Sequence, residues 1–294
     1  MTDASLMPAA GATALAPRKP NRTWTKLKKN RSAMVGGVVV ALFVLIALLA
    51  PLLPIPSPSA TDWGKIRLAP STEHWMGTDE IGRDILSRMI WGARASLMAG
   101  VISVMIAVMI GVPLGVLAGY FGGWTDQIIA RATDALLAMP FLILAIALAA
   151  FLGPSLTNAM IAIGLSAVPI FIRLTRGQVL SVKTEDYVEG ARAIGLGHLR
   201  IMSHYILPNV FPPILVQATL TIATAIIAEA SLSFLGLGQQ PPLPSWGSML
   251  ATARNFLSQA PWMALWPGAA IFMVVMGFNL LGDGLRDALD PKET

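Results

Sequence analysis

The sequence predicts an all-α, polytopic membrane protein with six transmembrane helices. Its 294 residues are 55% hydrophobic and 13% charged, with a mean hydropathy of +0.66, whereas soluble domains carry about 25% charged residues. Six apolar runs, five of them free of charge, each approach the ~20 residues needed to cross the hydrocarbon core. Lipid offers the backbone no hydrogen-bond partner, so each run is expected to be helical.

Residues 1–33 are Ala/Pro-rich and then basic, with Arg18, Lys19, Arg22, Lys26, Lys28, Lys29 and Arg31 against Asp3. The first part has the composition of a disordered tail, and Trp24 to Leu27 suit a membrane-surface anchor. A cleaved signal peptide is the competing reading of residues 1–50. It fails on length and on Pro51, which would hinder cleavage after Ala50. Residues 34–53 are therefore read as a retained first span.

Residues 54–94 form an outer segment that ends in an amphipathic stretch, 78–95. Ile81, Ile85, Leu86, Met89 and Ile90 share one helical face, and Arg83, Asp84, Ser87 and Arg88 share the other. An interfacial helix resting on lipid is preferred here to a direct substrate role. The core domain, 95–283, contains the spans 95–120, 135–152, 156–172, 212–235 and 262–282. Gly153-Pro154-Ser155 makes the third and fourth a tight hairpin. Pro113, Pro140, Pro169 and Pro267 lie inside these runs and predict kinks that neighbouring helices can tolerate. Asp126, Arg131 and Asp134 read as interfacial charges on a short inner loop. Residues 284–294 form a terminal tail whose helix is stopped at Pro291.

One polar interruption breaks this pattern. Residues 184–208, TEDYVEGARAIGLGHLRIMSHYILP, are charged yet lie between two apolar runs. From 186 to 194 the spacing predicts a short amphipathic helix, with Tyr187, Ala191 and Ile194 on one face and Glu185, Glu189 and Arg192 around the other. Gly195 and Gly197 allow a tight turn. Leu199 to Ile206 makes a second short helix, which Pro208 stops or hands on to the next element. Two short helices meeting at small residues make a knob suited to a groove in another protein.

Lys and Arg counts set the orientation. With the N-terminus inside, cytoplasmic segments carry 15 of these residues and outer segments 6. Both termini and the knob are then cytoplasmic. Glu229 is the sole ionisable residue within the six spans, which makes it a functional candidate by default. It also lies six residues before the outer end of its run, where water or an outer arginine can satisfy it. Both readings stay open.

Several chemistries are excluded. There is no cysteine, hence no disulfide or thiolate site. No GxxxxGK[ST], HExxH or GxSxG occurs, and the Gly-Leu-Gly at 236 lacks the strand–turn–helix setting of a nucleotide loop. His74, His198 and His204 fall on opposite sides of the membrane and cannot form one metal site. Neither a cofactor on this chain nor a nucleic-acid partner is expected. A self-contained secondary transporter, the alternative from a different class, usually shows internal repeats and polar midplane residues, and neither is visible. An enzyme would need a catalytic constellation, and none is present. A pathway subunit driven by another chain needs only an inward-facing transmission element.

Glu189-Gly190-Ala191, Gly195 and Leu207-Pro208, at this spacing, resemble the EAA loop of ABC-importer permeases. Gly190 stands where that pattern has a second alanine, and Tyr205 replaces an aliphatic residue; both keep the small or apolar character a docked helix needs. GTD-x-x-GRD-x-x-SR from Gly77, the outer loop SFLGLGQQPPLPSWGSML, and FNLLGDGLRDALDPK resemble the dipeptide/oligopeptide branch. The resemblance, covering about Trp24 to Lys292, implies a type I permease fold and a place in the bacterial inner membrane. It implies that Tyr187, Glu189, Gly190, Ala191, Arg192, Gly195, Leu207 and Pro208 couple to two cytoplasmic ATPase subunits, which carry ATP and magnesium. It also implies a second, homologous permease as heterodimer partner. An extracytoplasmic solute-binding protein is expected to meet the outer loop, with Gln240, Pro242 and Trp246 as contacts. The cargo is expected to be di- or oligopeptides, with nickel chelates or glutathione as alternatives within the branch.

Overall fold

The computed structural model describes residue 27 and residues 30–289. The surface anchor at 24–27 and the ends of both tails lie wholly or largely outside the described residues. Among those described, every regular element is helical, and the only β-type pairing is an isolated bridge between Thr78 and Asp84.

Helix α1 (Arg31–Leu49) starts at an Asn30 cap, whose side chain accepts from the Ala33 amide. It lies along the last helix, α10 (Trp262–Leu289). Gly36 and Gly284 set their separation: a Cβ at Gly36 would stand 2.6 Å from the Gly277 carbonyl oxygen, and one at Gly284 2.2 Å from the Ala33 Cβ. Without hydrophobic drive between helices in lipid, close approach at small residues is what packs them.

Helix α2 (Ile85–Phe121) is capped by Asp84, which accepts from the Ser87 amide. At 37 residues it is about 55 Å long, well beyond the ~30 Å hydrocarbon core. The expected amphipathic helix from 78 therefore begins only at Ile85, as the first turns of this long helix. Its polar face also points inward rather than to solvent. Arg83, Ser87 and Arg88 are buried. The reason is charge satisfaction: Asp79 takes Arg83 at 2.6 Å and Arg88 at 3.4 Å, and Arg88 Nη1 donates to the Pro58 carbonyl at 3.0 Å. A stretch read as lying on lipid is instead the clamp that ties the outer segment to α2.

The third apolar run also departs from expectation. Helix α3 (Gly123–Leu137) and helix α4 (Phe141–Leu152) meet at a 90° bend. Pro140 is the residue before α4; its fixed φ and missing N–H break the run that hydropathy reads as one span. Arg176 and Arg173 on the next helix hold α3 through Asp126 and Asp134, the Arg173–Asp134 pair at 2.7 Å.

Helix α5 (Leu156–Val182) extends ten residues past the expected end at 172. Its contact with α2 is the principal one in the fold, and three glycines make it. Cβ atoms at Gly111, Gly115 and Gly119 would lie 2.6 to 2.8 Å from the nearest atoms of Phe171, Thr175 and Val179. The spacing Gly-x-x-x-Gly-x-x-x-Gly is visible in the sequence and marks a close-packing face.

After α5 come α6 (Asp186–Ala193) and α7 (His198–Ile201), then one turn of π-helix, Met202–Ile206, leading directly into α8 (Leu207–Phe234). His198–Phe234 thus runs as a single 37-residue helix, where the sequence has Pro208 either stop the second short helix or hand it on to the next element, with a span from 212. Proline lacks an N–H and its ring crowds the carbonyl four residues back. The widened π turn just before it relieves that conflict; the Leu207 amide donates to Met202 instead. Short helix α9 (Trp246–Ala253) lies under the outer loop and packs on α8 and α10.

Candidate functional site

The knob is built from α6, the turn at 194–197 and α7. Val188 and Ala191, three residues apart, face inward and join a core with Ile201, Met202, Ile206 and Val210. Of the face that the spacing assigns to Tyr187, Ala191 and Ile194, only Ala191 is buried. Tyr187 is 43% exposed, Ile194 75% and Leu199 80%. A helix this short can bury a single narrow stripe, and Val188 takes it. The displaced apolar residues stand outward beside exposed Glu189, Gly190 and Arg192.

Gly195 ends α6. Its φ is +79°, the left-handed conformation that L side chains avoid. The Gly195 amide donates to Arg192 at 2.9 Å and the Leu196 amide to Ala191 at 3.2 Å, the paired bonds of a Schellman cap. A Cβ at Gly195 would meet nothing within 4 Å, so this glycine answers to backbone conformation and leaves an open surface. Leu207 and Pro208 are exposed at the start of α8.

Side chains clasp the knob to the end of α2. Tyr120 Oη lies 2.9 Å from His198 Nδ1, Arg192 sits over the Tyr120 ring at 5.4 Å, and Lys183 Nζ donates to the Gly119 carbonyl at 2.8 Å. Sequence spacing gives no hint of these contacts, because they join residues 64 to 78 apart. At Tyr187, burial and then nearby Glu185 push the phenol pKa above its ordinary value, so it remains a neutral donor in the physiological range.

At the opposite end of α8, Glu229 is fully buried. It accepts from Ser233 Oγ at 2.7 Å and from Ser96 Oγ at 3.2 Å. No salt bridge among the described residues includes it, so the outer-arginine reading is replaced by serine hydroxyls. Trp246 is also fully buried. Its indole donates to the Met89 carbonyl at 3.1 Å and meets Phe43 edge-on at 5.6 Å. Its side chain is thus a packing element within the chain and not an available contact surface, which corrects the expectation. An aromatic in a Gly/Pro-rich loop reads as exposed only until the groove at Gly92 is known; the ring lies 3.3 Å from where a Gly92 Cβ would stand. Gln240 and Pro242 are exposed as expected.

Among the described residues, no group of three or more His, Asp or Glu is placed to hold a metal ion. Long apolar helices with a polar knob between two of them define a polytopic membrane protein. Residues 111–294 match the family of binding-protein-dependent transport system inner membrane components, and residues 21–70 match the N-terminal TM domain of oligopeptide transport permease C. The chain belongs to this family of inner-membrane transport components: it is a permease subunit, multi-pass in the membrane, and not itself an enzyme.

It is 50% identical over 280 residues to the dipeptide transport system permease protein DppC of Alkalihalophilus pseudofirmus, covering 95% of this chain and 91% of that one. It is 46% identical over 270 residues to the glutathione transport system permease protein GsiD of Escherichia coli O157:H7, covering 92% and 89%. It is 43% identical over 286 residues to the probable D,D-dipeptide transport system permease protein DdpC of Escherichia coli K12, covering 95% and 96%. The inward-facing MetNI methionine ABC transporter shares the fold, with a TM-score of 0.58 at 20% identity over 70% of this chain and 98% of that one. The all-α type I importer permease fold expected from the sequence is therefore the fold observed.

Proposed function

We propose that the chain forms one half of the membrane pathway of an ATP-driven importer of di- or oligopeptides. A second, homologous permease supplies the other half, and two cytoplasmic ATPase subunits bind ATP and magnesium and seat the knob. Both termini and the knob face the cytoplasm, and an extracytoplasmic binding protein meets the outer loop at Gln240 and Pro242. Peptide cargo is supported by the dipeptide-permease relative at 50% identity. Glutathione, itself a small peptide, is the second reading, supported by the relative at 46%.

The observation that carries the proposal is the exposed apolar tip on the knob. Ile194 and Leu199 flank a glycine turn with open space around it, and the core beneath is shared with α5 and α8. A partner groove that receives this tip gains buried apolar area, and any displacement of the tip moves both helices together.

Mild detergent extraction and co-purification test the proposal. Recovery of a second permease and two ATPases with this chain is the expected result. Uptake of peptide by this chain alone in liposomes would overturn it.

A further inference from the structure

Two hydrogen-bond relays leave the outer loop and end on the same carboxylate. In one, the Trp246 amide donates to Ser96 Oγ at 3.2 Å, and that hydroxyl donates to Glu229 Oε2 at 3.2 Å. In the other, the Gln239 amide and the Ser245 hydroxyl donate to Ser233 Oγ at 3.2 and 3.3 Å, and Ser233 donates to Glu229 Oε1 at 2.7 Å. Each carboxyl oxygen of Glu229 serves one relay, and each serine both accepts from the loop and donates to Glu229, so this one side chain is the common terminus of both relays.

The anchors, 239 and 245–246, bracket five residues, of which Gln240, Pro241, Pro242 and Leu243 are exposed and Pro244 is buried. The tip of the loop is thus fixed on both flanks to one side chain. That side chain stands five residues before the end of the continuous helix His198–Phe234, whose other end belongs to the knob. Gly247 tightens the joint: a Cβ there would come within 2.6 Å of Ala230 Cα.

We propose that Glu229 is a positioning residue that couples the outer loop to the knob. It holds tip 240–243 rigidly to the outer end of α8, so that engagement of a binding protein at the tip is delivered to the ATPase seat through that one helix. This rests on the reading of the tip as the binding-protein contact. Glu229 touches no cargo in this role.

The test uses the whole importer complex in lipid nanodiscs, with ATP hydrolysis measured with and without the co-purifying binding protein. In Glu229→Gln the amide keeps the shape but offers one acceptor oxygen for two hydroxyl donors, so one relay loses its terminus. The expected result is normal assembly and basal hydrolysis, with stimulation by binding protein reduced about tenfold, the upper scale of one lost hydrogen bond. Ser245→Ala, which removes a single outer link, should reduce stimulation in the same direction by a smaller factor, and it serves if Glu229→Gln does not assemble. Full stimulation in either assembled variant overturns the proposal. A parallel fall in basal and stimulated rates also overturns it, since a merely structural contact would do that. An unaltered complex that is not stimulated at all overturns the functional reading itself, and the role of Glu229 with it.

Discussion

Gly195 is the residue on which the knob turns, and its setting separates two effects of substitution. Its positive φ means that any L side chain costs roughly 1–2 kcal/mol locally, yet nothing in the chain would collide with it. Gly195→Trp should therefore insert and pair normally while capture of the ATPase subunits falls about ten- to hundredfold, each ~1.4 kcal/mol being tenfold. Pull-down from mild detergent measures this, and undiminished capture would make the knob a plain connector. A second residue gives a pH signature. Burial, then the neighbouring Asp79, raise the pKa of Glu80 above its ordinary value. Its folded form therefore favours the proton. The associated stability is fully present below the ordinary carboxylate pKa and is lost as pH rises through the raised one. Thermal unfolding of the unaltered protein should shift upward as pH falls through the raised value toward the ordinary carboxylate range, and Glu80→Gln should flatten that slope. Gly195 was legible because glycines directly after an amphipathic stretch, here Gly195 and Gly197, mark a turn. The inward turn of Arg83 and Arg88 was not legible, because alternating charges look alike whether water or Asp79 satisfies them.

At the scale of elements, the α2–α5 contact is the strongest constraint. Gly115→Leu would place a side chain where a Cβ already lies 2.6 Å from the Thr175 Cβ and 2.8 Å from the Ile172 carbonyl oxygen. Overpacking of this kind costs typically ~1–3 kcal/mol. A lower melting temperature in detergent is expected, whereas the same change at Gly177, which has no neighbour within 4 Å, should leave it nearly unaltered. The lengths of the helices were harder to read than their existence. Hydropathy stops at Arg173, but α5 continues to Val182 because Arg173, Arg176 and Lys183 find partners in Asp134, Asp126 and the Gly119 carbonyl. In the opposite direction, an unbroken apolar run over 135–152 conceals the right-angle bend before Pro140. Five helices are long and apolar enough to cross a membrane, and the bent pair α3–α4 makes a sixth crossing only if its two arms together count as one span.

For the whole molecule, the sidedness of the two functional ends is the property to establish. Reporters fused after Thr294 and inserted near Lys183 should read cytoplasmic, and one near Gln240 should read external. A cytoplasmic signal at Gln240 would put tip and knob on the same side and dissolve the arrangement. Lys/Arg asymmetry gives an expected sidedness from sequence, but it gives no sign that the two ends share a helix. Pro208, Pro212 and Pro213 argue for a break, and the π turn shows how the helix passes the first of them. That continuity has a mechanical consequence. A rod of 37 residues is about 55 Å long, so rocking by ~5° about its middle sweeps each end through about 2.4 Å in opposite directions. With one end bolted to the loop and the other embedded in the knob, a helix rocking in this way is a seesaw, and displacing either end displaces the other.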